Sequence, residues 1–122
     1  MAEGLAKRIM GSKGRIESAG LVPIFDGAAP EAIQVLKETY NTDISQHQTR
    51  NLADVQINTF DQIIVLDLYV FETLKNRFPF LSNKLILWDI QDPFGKDIDN
   101  YRKAAKKIDD MIQKHLIPFV DG

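Results

Sequence analysis

Leu85-Ile-Leu-Trp-Asp-Ile-Gln-Asp-Pro-Phe-Gly-Lys96 begins as an apolar run and ends in an acidic segment punctuated by proline and glycine. A run of strand length stopped by Asp-Pro and Phe-Gly reads as a buried strand emptying into a loop at its carboxyl end. Open α/β sheets place their sites at those ends. Asp92 is the candidate for chemistry in this loop, because Pro93 fixes the backbone after it and Phe94 offers an apolar wall beside it. An aspartate before a proline also starts ordinary turns, so its role has to be argued from the rest of the chain.

Working outward, Phe60-Asp-Gln-Ile-Ile-Val-Leu66 is the clearest strand, with the β-branched centre of a sheet covered on both faces. Asp67 reads as the N-cap of a helix whose apolar stripe is Leu68, Phe71, Leu74 and Phe78, ended by Pro79. The opening stretch supplies the next strand, over 84–88. Asp97 then caps a helix with the stripe Ile98, Tyr101, Ala105, Ile108, Ile112 and Leu116, broken by Pro118. Toward the N-terminus, Leu5 and Ile9 mark a helix over 2–10 that stops at Gly11. The small residues of 14–21 suit a further strand, 22–29 a loop, and Pro30 opens a helix to Tyr40, with Asn41 as its stop. Polar residues over 42–51 lead into a helical turn at 52–55. This alternation predicts an α/β three-layer sandwich, with a small parallel sheet of three strands and helices on both faces. The chain opens on a helix, whereas a doubly wound sheet opens on a strand whose following loop binds the ligand.

At 122 residues, the expectation is a single domain over 1–122. No run approaches the roughly 20 apolar residues that span a bilayer. The N-terminus has no signal-peptide stretch, so a cytoplasmic protein is expected. A formal charge of −2 gives no nucleic-acid footprint, and Lys103, Lys106 and Lys107 read as the wet face of the last helix. Cysteine is absent, which excludes disulfides, thiolate metal sites and a cysteine nucleophile within these residues.

Other chemistry is poorly supported. Asp43, Ser45 and His47 are triad ingredients, yet they fall in one local segment without a nucleophile elbow. Asp89, Asp92, Asp97 and Asp99 match no calcium-loop spacing, and aspartates near helix starts are usually caps. His47 and His115 are far apart in sequence, so no metal and no cofactor are expected.

In order, the chain holds Met-Ala-Glu-Gly (1–4), Ser-Ala-Gly (18–20), Asp-Ile-Ser-Gln-His (43–47), Phe-Asp-Gln-Ile-Ile (60–64), Leu-Asp (66–67) and Asp-Pro-Phe-Gly (92–95). Together these resemble the low-molecular-weight protein-tyrosine phosphatase family, with its arsenate-reductase relatives, from Met1 to about Val120. The resemblance implies a first strand leading into a Cys-x5-Arg loop that holds phosphate and attacks phosphorus. Met-Ala-Glu-Gly falls where the family's next helix begins, so the expectation is a chain lacking that strand, the cysteine and the arginine. Asp92 matches the family's general acid, a role that calls for a partly buried, apolar setting. Phe94 falls where a tyrosine often lines the substrate cleft. The second tyrosine of the animal branch has no counterpart before Gly95. Ser18 and His47 match residues that hold the nucleophile loop in shape.

The implied substrates are phosphotyrosine proteins or small aryl phosphates, cleaved by the complete form. The chain itself is expected to be inactive. The alternatives are a non-catalytic binding protein of the same fold and, more weakly, an arsenate-reductase-like protein. The family's strand order, 2-1-3-4, makes the missing strand an interior one. Closure of the 14–21 strand onto the Phe60 strand, or a homodimer filling the position, is expected, because unpaired backbone inside a sheet is costly.

Overall fold

The computed structural model describes residues 1–20 and 27–121. Its elements run α1 (Ala2–Met10), α2 (Pro30–Tyr40), β1 (Ile63–Val65), α3 (Leu68–Arg77), β2 (Leu85–Leu87), α4 (Ile98–Met111), a π-helical turn (Ile112–Leu116) and α5 (Ile117–Asp121). Short 3-10 turns at Leu52–Asp54, Ile57–Thr59 and Pro79–Leu81 complete the order. The loop expected over 22–29 falls mostly on 21–26, outside the described residues.

β1 and β2 pair in parallel, with Ile63 opposite Leu85, Ile64 opposite Ile86 and Val65 opposite Leu87, and α3 is the crossover between them. Side chains alternate across this ribbon. Ile64, Leu66 and Ile86 pack on a core built by α1, α2 and α4, in which Leu5, Leu36 and Ala105 are fully buried. Val65 and Leu85 turn to the other face, against Leu74 of α3 and Leu81. Helices therefore cover both faces of a small parallel sheet, and the fold class is as expected.

The strand count is not. Among the described residues the sheet has two strands, and 15–19 form no ladder. A single parallel bridge joins Gly20 to Asn51, made by Gly20 N–H to the Arg50 carbonyl at 3.0 Å and Leu52 N–H to the Gly20 carbonyl at 2.9 Å. Nor has this segment closed onto β1: the two do not pair, and both contribute residues to the lining of a cavity of about 920 Å³. A strand exists only with a neighbour, and no described segment supplies one here.

Chain ends of the helices follow their capping chemistry closely. Asp67 accepts the Val70 N–H at 3.0 Å and Asp97 the Asn100 N–H at 3.2 Å. Asn41 stops α2 in the left-handed conformation at φ 50°, and Gly11 stops α1 at φ 58°. Pro118 departs from expectation, because helical backbone continues through it to Asp121. The π turn closes with Ile117 N–H bonding the Ile112 carbonyl, five residues back, and places Pro118 in the first turn of α5, where its missing N–H costs little.

Gly4 explains part of the Met-Ala-Glu-Gly motif physically. A Cβ there would lie 2.6 Å from Cγ2 of Ile44, a branch methyl with no freedom to swing away. Gly4→Ala should therefore destabilise the protein by about 1 kcal/mol, although helix propensity alone favours alanine by a similar amount. Urea unfolding checks the sign, and a stabilised variant would show that α1 can shift away from Ile44.

Candidate functional site

Asp92 leaves the carboxyl side of β2 in a tight turn. Its Oδ1 accepts the Phe94 N–H at 3.0 Å, the Pro93 carbonyl accepts the Lys96 N–H at 2.9 Å, and Gly95 takes φ 80°. Both Asp92 and Phe94 are exposed, Phe94 by 58%. The turn-starting aspartate is thus what the local geometry shows, and the partly buried setting expected for a general acid is not formed by these residues. Asp92 does face the molecule at one point. Tyr101, buried at the start of α4, has its hydroxyl held above the usual phenol range, first by burial and then by the negative charges of Glu31 and Asp92. The neighbouring Asp97 and Asp99 are engaged elsewhere, Asp97 as the α4 cap and Asp99 with Arg102 at 2.7 Å.

Ser18 and His47 do come together, and they meet on a residue that sequence reasoning passed over. Glu3 on α1 accepts the Ser18 hydroxyl at 2.9 Å and an Arg50 guanidinium N–H at 2.8 Å, both on Oε1. Its Oε2 takes the Lys7 ammonium at 3.1 Å, with His47 Nδ1 at 3.6 Å, beyond hydrogen-bonding length. The Glu3 side chain is only 9% exposed, whereas Arg50 and Lys7 keep 40% and 53% of theirs in solvent. One carboxylate thereby ties α1, the 15–20 segment and the loop after α2 together. Glu3 was detectable in the sequence: it shares a helical face with Ala6 and Met10, both buried, so a charge there needs partners. Arg50 carried no comparable signal, since its distance from Glu3 is set by tertiary packing.

Burial alone would raise the Glu3 pKa. The bonds from Lys7, Ser18 and Arg50 outweigh it and hold the carboxyl at about 2, against an ordinary 4.5. A carboxyl lowered in the folded state stabilises fully above about 4.5, and that stability is lost as pH falls toward about 2. After allowing for solvent screening at Lys7 and Arg50, the contribution is about 2 kcal/mol. Glu3→Gln should therefore be less stable than the parent by that amount at pH 7, and the gap should close between pH 4.5 and pH 2. A gap constant across that range, in chemical denaturation at stepped pH, would remove the charge from the account.

The cavity of about 920 Å³ begins at this group. Glu3 and Ser18 line one part of it, β1 and Asp67 another. Asp92 and Phe94 are outside its lining, so the four residues singled out in the sequence fall into two places, Ser18 and His47 around Glu3, and Asp92 and Phe94 on the loop after β2. In the described residues no helix is long and apolar enough to cross a membrane.

Comparison with known proteins agrees with this architecture. The profile of the family described as "Low molecular weight phosphotyrosine protein phosphatase" matches residues 1–119. The chain is 33% identical over 116 residues to "Arsenate reductase 2" of Staphylococcus haemolyticus, covering 93% of this chain and 82% of that protein. Among solved structures, a low molecular weight protein tyrosine phosphatase from T. tengcongensis superposes with a TM-score of 0.85 at 26% identity, covering 96% of this chain and 88% of the other. Vibrio vulnificus Wzb, solved in complex with benzylphosphonate, gives a TM-score of 0.81 at 25% identity, covering 93% and 84%.

Proposed function

This chain belongs to the low-molecular-weight phosphotyrosine protein phosphatase family, and we propose that it carries that family's scaffold and proton donor without its nucleophile. In the complete form, a cysteine thiolate attacks phosphorus, the bond from phosphorus to the aryl oxygen breaks, and Asp92 gives its proton to the departing oxygen. Asp92, now a carboxylate, then takes a proton from water as the water oxygen displaces sulfur, releasing phosphate and restoring the thiolate. Phe94 lines the cleft for the aryl ring. Ser18 and His47 support the nucleophile loop from behind, through Glu3 and Arg50.

The observation that carries this reading is the family match over 1–119 combined with a sequence that contains no cysteine. Substrates of the complete form are phosphotyrosine proteins or small aryl phosphates, in the cytoplasm. On this reading residues 1–119 are the part of the family domain that follows its first strand and Cys-x5-Arg loop.

The exposure of Asp92 and Phe94 favours a second reading, a non-catalytic binding protein of the same fold. Arsenate reduction has the weaker case, despite the relatives bearing that name, because it needs thiols to pass electrons on and these residues hold none. The codons in frame upstream of Met1 separate the first two. If they encode Cys-x5-Arg, the longer protein should hydrolyse aryl phosphates, and Asp92→Asn should lower its kcat by about 10²-fold or more. If they do not, the binding protein is the correct reading.

A further inference from the structure

The end of α3 and the turn after it carry charge opposite in sign to the chain as a whole. From Thr73 to Trp88 the sequence holds Lys75, Arg77 and Lys84 and no aspartate or glutamate, in a protein of net charge −2. Phe71, Lys75 and Phe78 follow one another at helical spacing, so they share one side of α3. Phe71 and Phe78 are partly buried against Val65, Leu74, Leu81 and Leu85. Each ring is also faced by a cation: the Lys75 ammonium lies 5.6 Å from the Phe71 ring centre, and the Arg77 guanidinium carbon lies 5.4 Å from that of Phe78. Phe80 stands edge-on to Phe78, with ring centres 6.1 Å apart, and is 69% exposed.

The backbone holds this surface in place. Leu81 is buried and anchors the turn, in which Leu81, Ser82 and Lys84 donate their N–H groups to the carbonyls of Phe78, Pro79 and Leu81 at 2.9, 3.2 and 2.8 Å. Phe80 is thereby fixed outward, and covering it costs little ordering. Lys75 and Arg77 are exposed, and among the described residues neither reaches a carboxylate, whereas Lys7, Arg50, Arg102 and Lys106 each do. A guanidinium stacked on a ring still presents its N–H edge, the geometry that takes a carboxylate. None of Phe71, Lys75, Arg77, Phe78 and Phe80 lines the large cavity, and the turn precedes β2 whereas Asp92 follows it.

We propose that this face docks an acidic segment of another polypeptide, in which carboxylates flank an aromatic or large aliphatic side chain. The apolar side chain covers Phe80, and the carboxylates pair with Arg77 and Lys75. A bilayer fits less well, because one protruding ring and three cations give an affinity no better than a single acyl chain's, which is marginal. Single-stranded nucleic acid stacks its bases on open ring faces, and Phe71 and Phe78 are already met by cations. The chain's own Asp89-Ile-Gln-Asp-Pro-Phe94 has a suitable composition. It is folded into the turn that Asp92 Oδ1 closes on the Phe94 N–H, however, and a second copy would dock through it only head to tail. The proposal does not depend on the phosphatase reading.

The probe is a fluorescein-labelled peptide, Gly-Glu-Asp-Leu-Phe-Glu-Asp-Gly, titrated with the intact chain and read by anisotropy. Binding should saturate in the micromolar range and weaken about fivefold or more when NaCl rises from about 0.05 M to about 0.5 M. Phe80→Ala should weaken it about tenfold, as loss of a central anchor does, and Arg77→Glu by at least as much. Arg77→Lys, which keeps the charge and loses the fork, should fall between parent and Arg77→Glu. Lys107→Glu, the same charge change on the wet face of α4, should leave binding as it was. Phe80 and Arg77 are exposed, so these variants should keep the parent Tm, which checks their folding. The proposal is overturned by no saturation at millimolar peptide, by equal losses in Arg77→Glu and Lys107→Glu, or by indifference to Phe80→Ala. Displacement of the peptide by phosphatidylserine vesicles or by oligothymidylate would assign the face to a membrane or a nucleic acid instead. Sedimentation showing self-association that Arg77→Glu abolishes would assign it to a second copy, and also overturn the proposal. Hydrolysis of aryl phosphates is not read at any step, so a failure here and a failure of the phosphatase reading remain distinguishable.

Discussion

Purified, the 122-residue chain should hydrolyse p-nitrophenyl phosphate no faster than buffer does. A complete enzyme that forms a covalent intermediate loses about 10⁶-fold in kcat when its nucleophile is removed. A positioned acid contributes about 10²–10⁴-fold, and only to a step that some nucleophile has begun. Asp92 is present, but the described residues around it offer no thiolate. Its own Oδ1 is occupied by the Phe94 N–H. Lys7 and Arg50 are both paired with Glu3, so that carboxylate competes with any phosphate for them. Turnover above buffer that disappears in Asp92→Asn would mean that another group attacks phosphorus, and would overturn the proposal that the scaffold is retained without its chemistry.

Leu36→Ala should be the most damaging single truncation of the core, lowering stability by about 3 kcal/mol, within the range of about 2–5 kcal/mol for buried leucines. Leu36 on α2 is 0% exposed, and it sits where α1, α2 and α4 share one hydrophobic cluster. Its Cδ2 lies 3.4 Å from where a Cβ on Gly4 would be, so the helices are already at their closest approach and have little room to collapse into the hole. For a chain of this length, the loss corresponds to about 12 °C in Tm. Leu52→Ala, whose side chain is half-buried beside the large cavity, should cost about 1 kcal/mol, because the space there already exists. Thermal denaturation of the two variants distinguishes these cases, and equal losses would show that the core near Gly4 relaxes freely.

The helices and the layer order were legible in the sequence for local reasons. Asp67, Asp97, Asn41 and Gly11 each act through their own side chain or backbone within one turn, and they end or begin helices where expected. Alternation of Ile63, Ile64 and Val65 between two cores likewise follows from the two-residue period of a strand. What the sequence left open depended on neighbours in space or on unusual turns. Residues 14–21 have strand-like character, yet a strand needs a partner, and their composition says nothing about whether one is there. Pro118 looked like a stop because a proline breaks an α-helix, but a π turn upstream moves it into a first turn. Glu3 was a readable anomaly on an apolar helix face, while the identity of its partners depended on how the loop carrying His47 and Arg50 folds back. Asp92 was chosen for its neighbours in sequence, and in space those neighbours build the turn that exposes it.

Among the described residues one edge of β1 has no neighbouring strand. Amide hydrogen exchange on the monomeric chain tests that edge directly, because it reads each backbone N–H by itself. Ile63 and Trp88, bonded within the β1 and β2 pair, should be protected, and Ile64 should exchange at least about 10²-fold faster than either. Protection of Ile64 equal to that of Ile63 would mean that β1 already has a second neighbour, and would contradict both the two-stranded sheet and the cavity beside it.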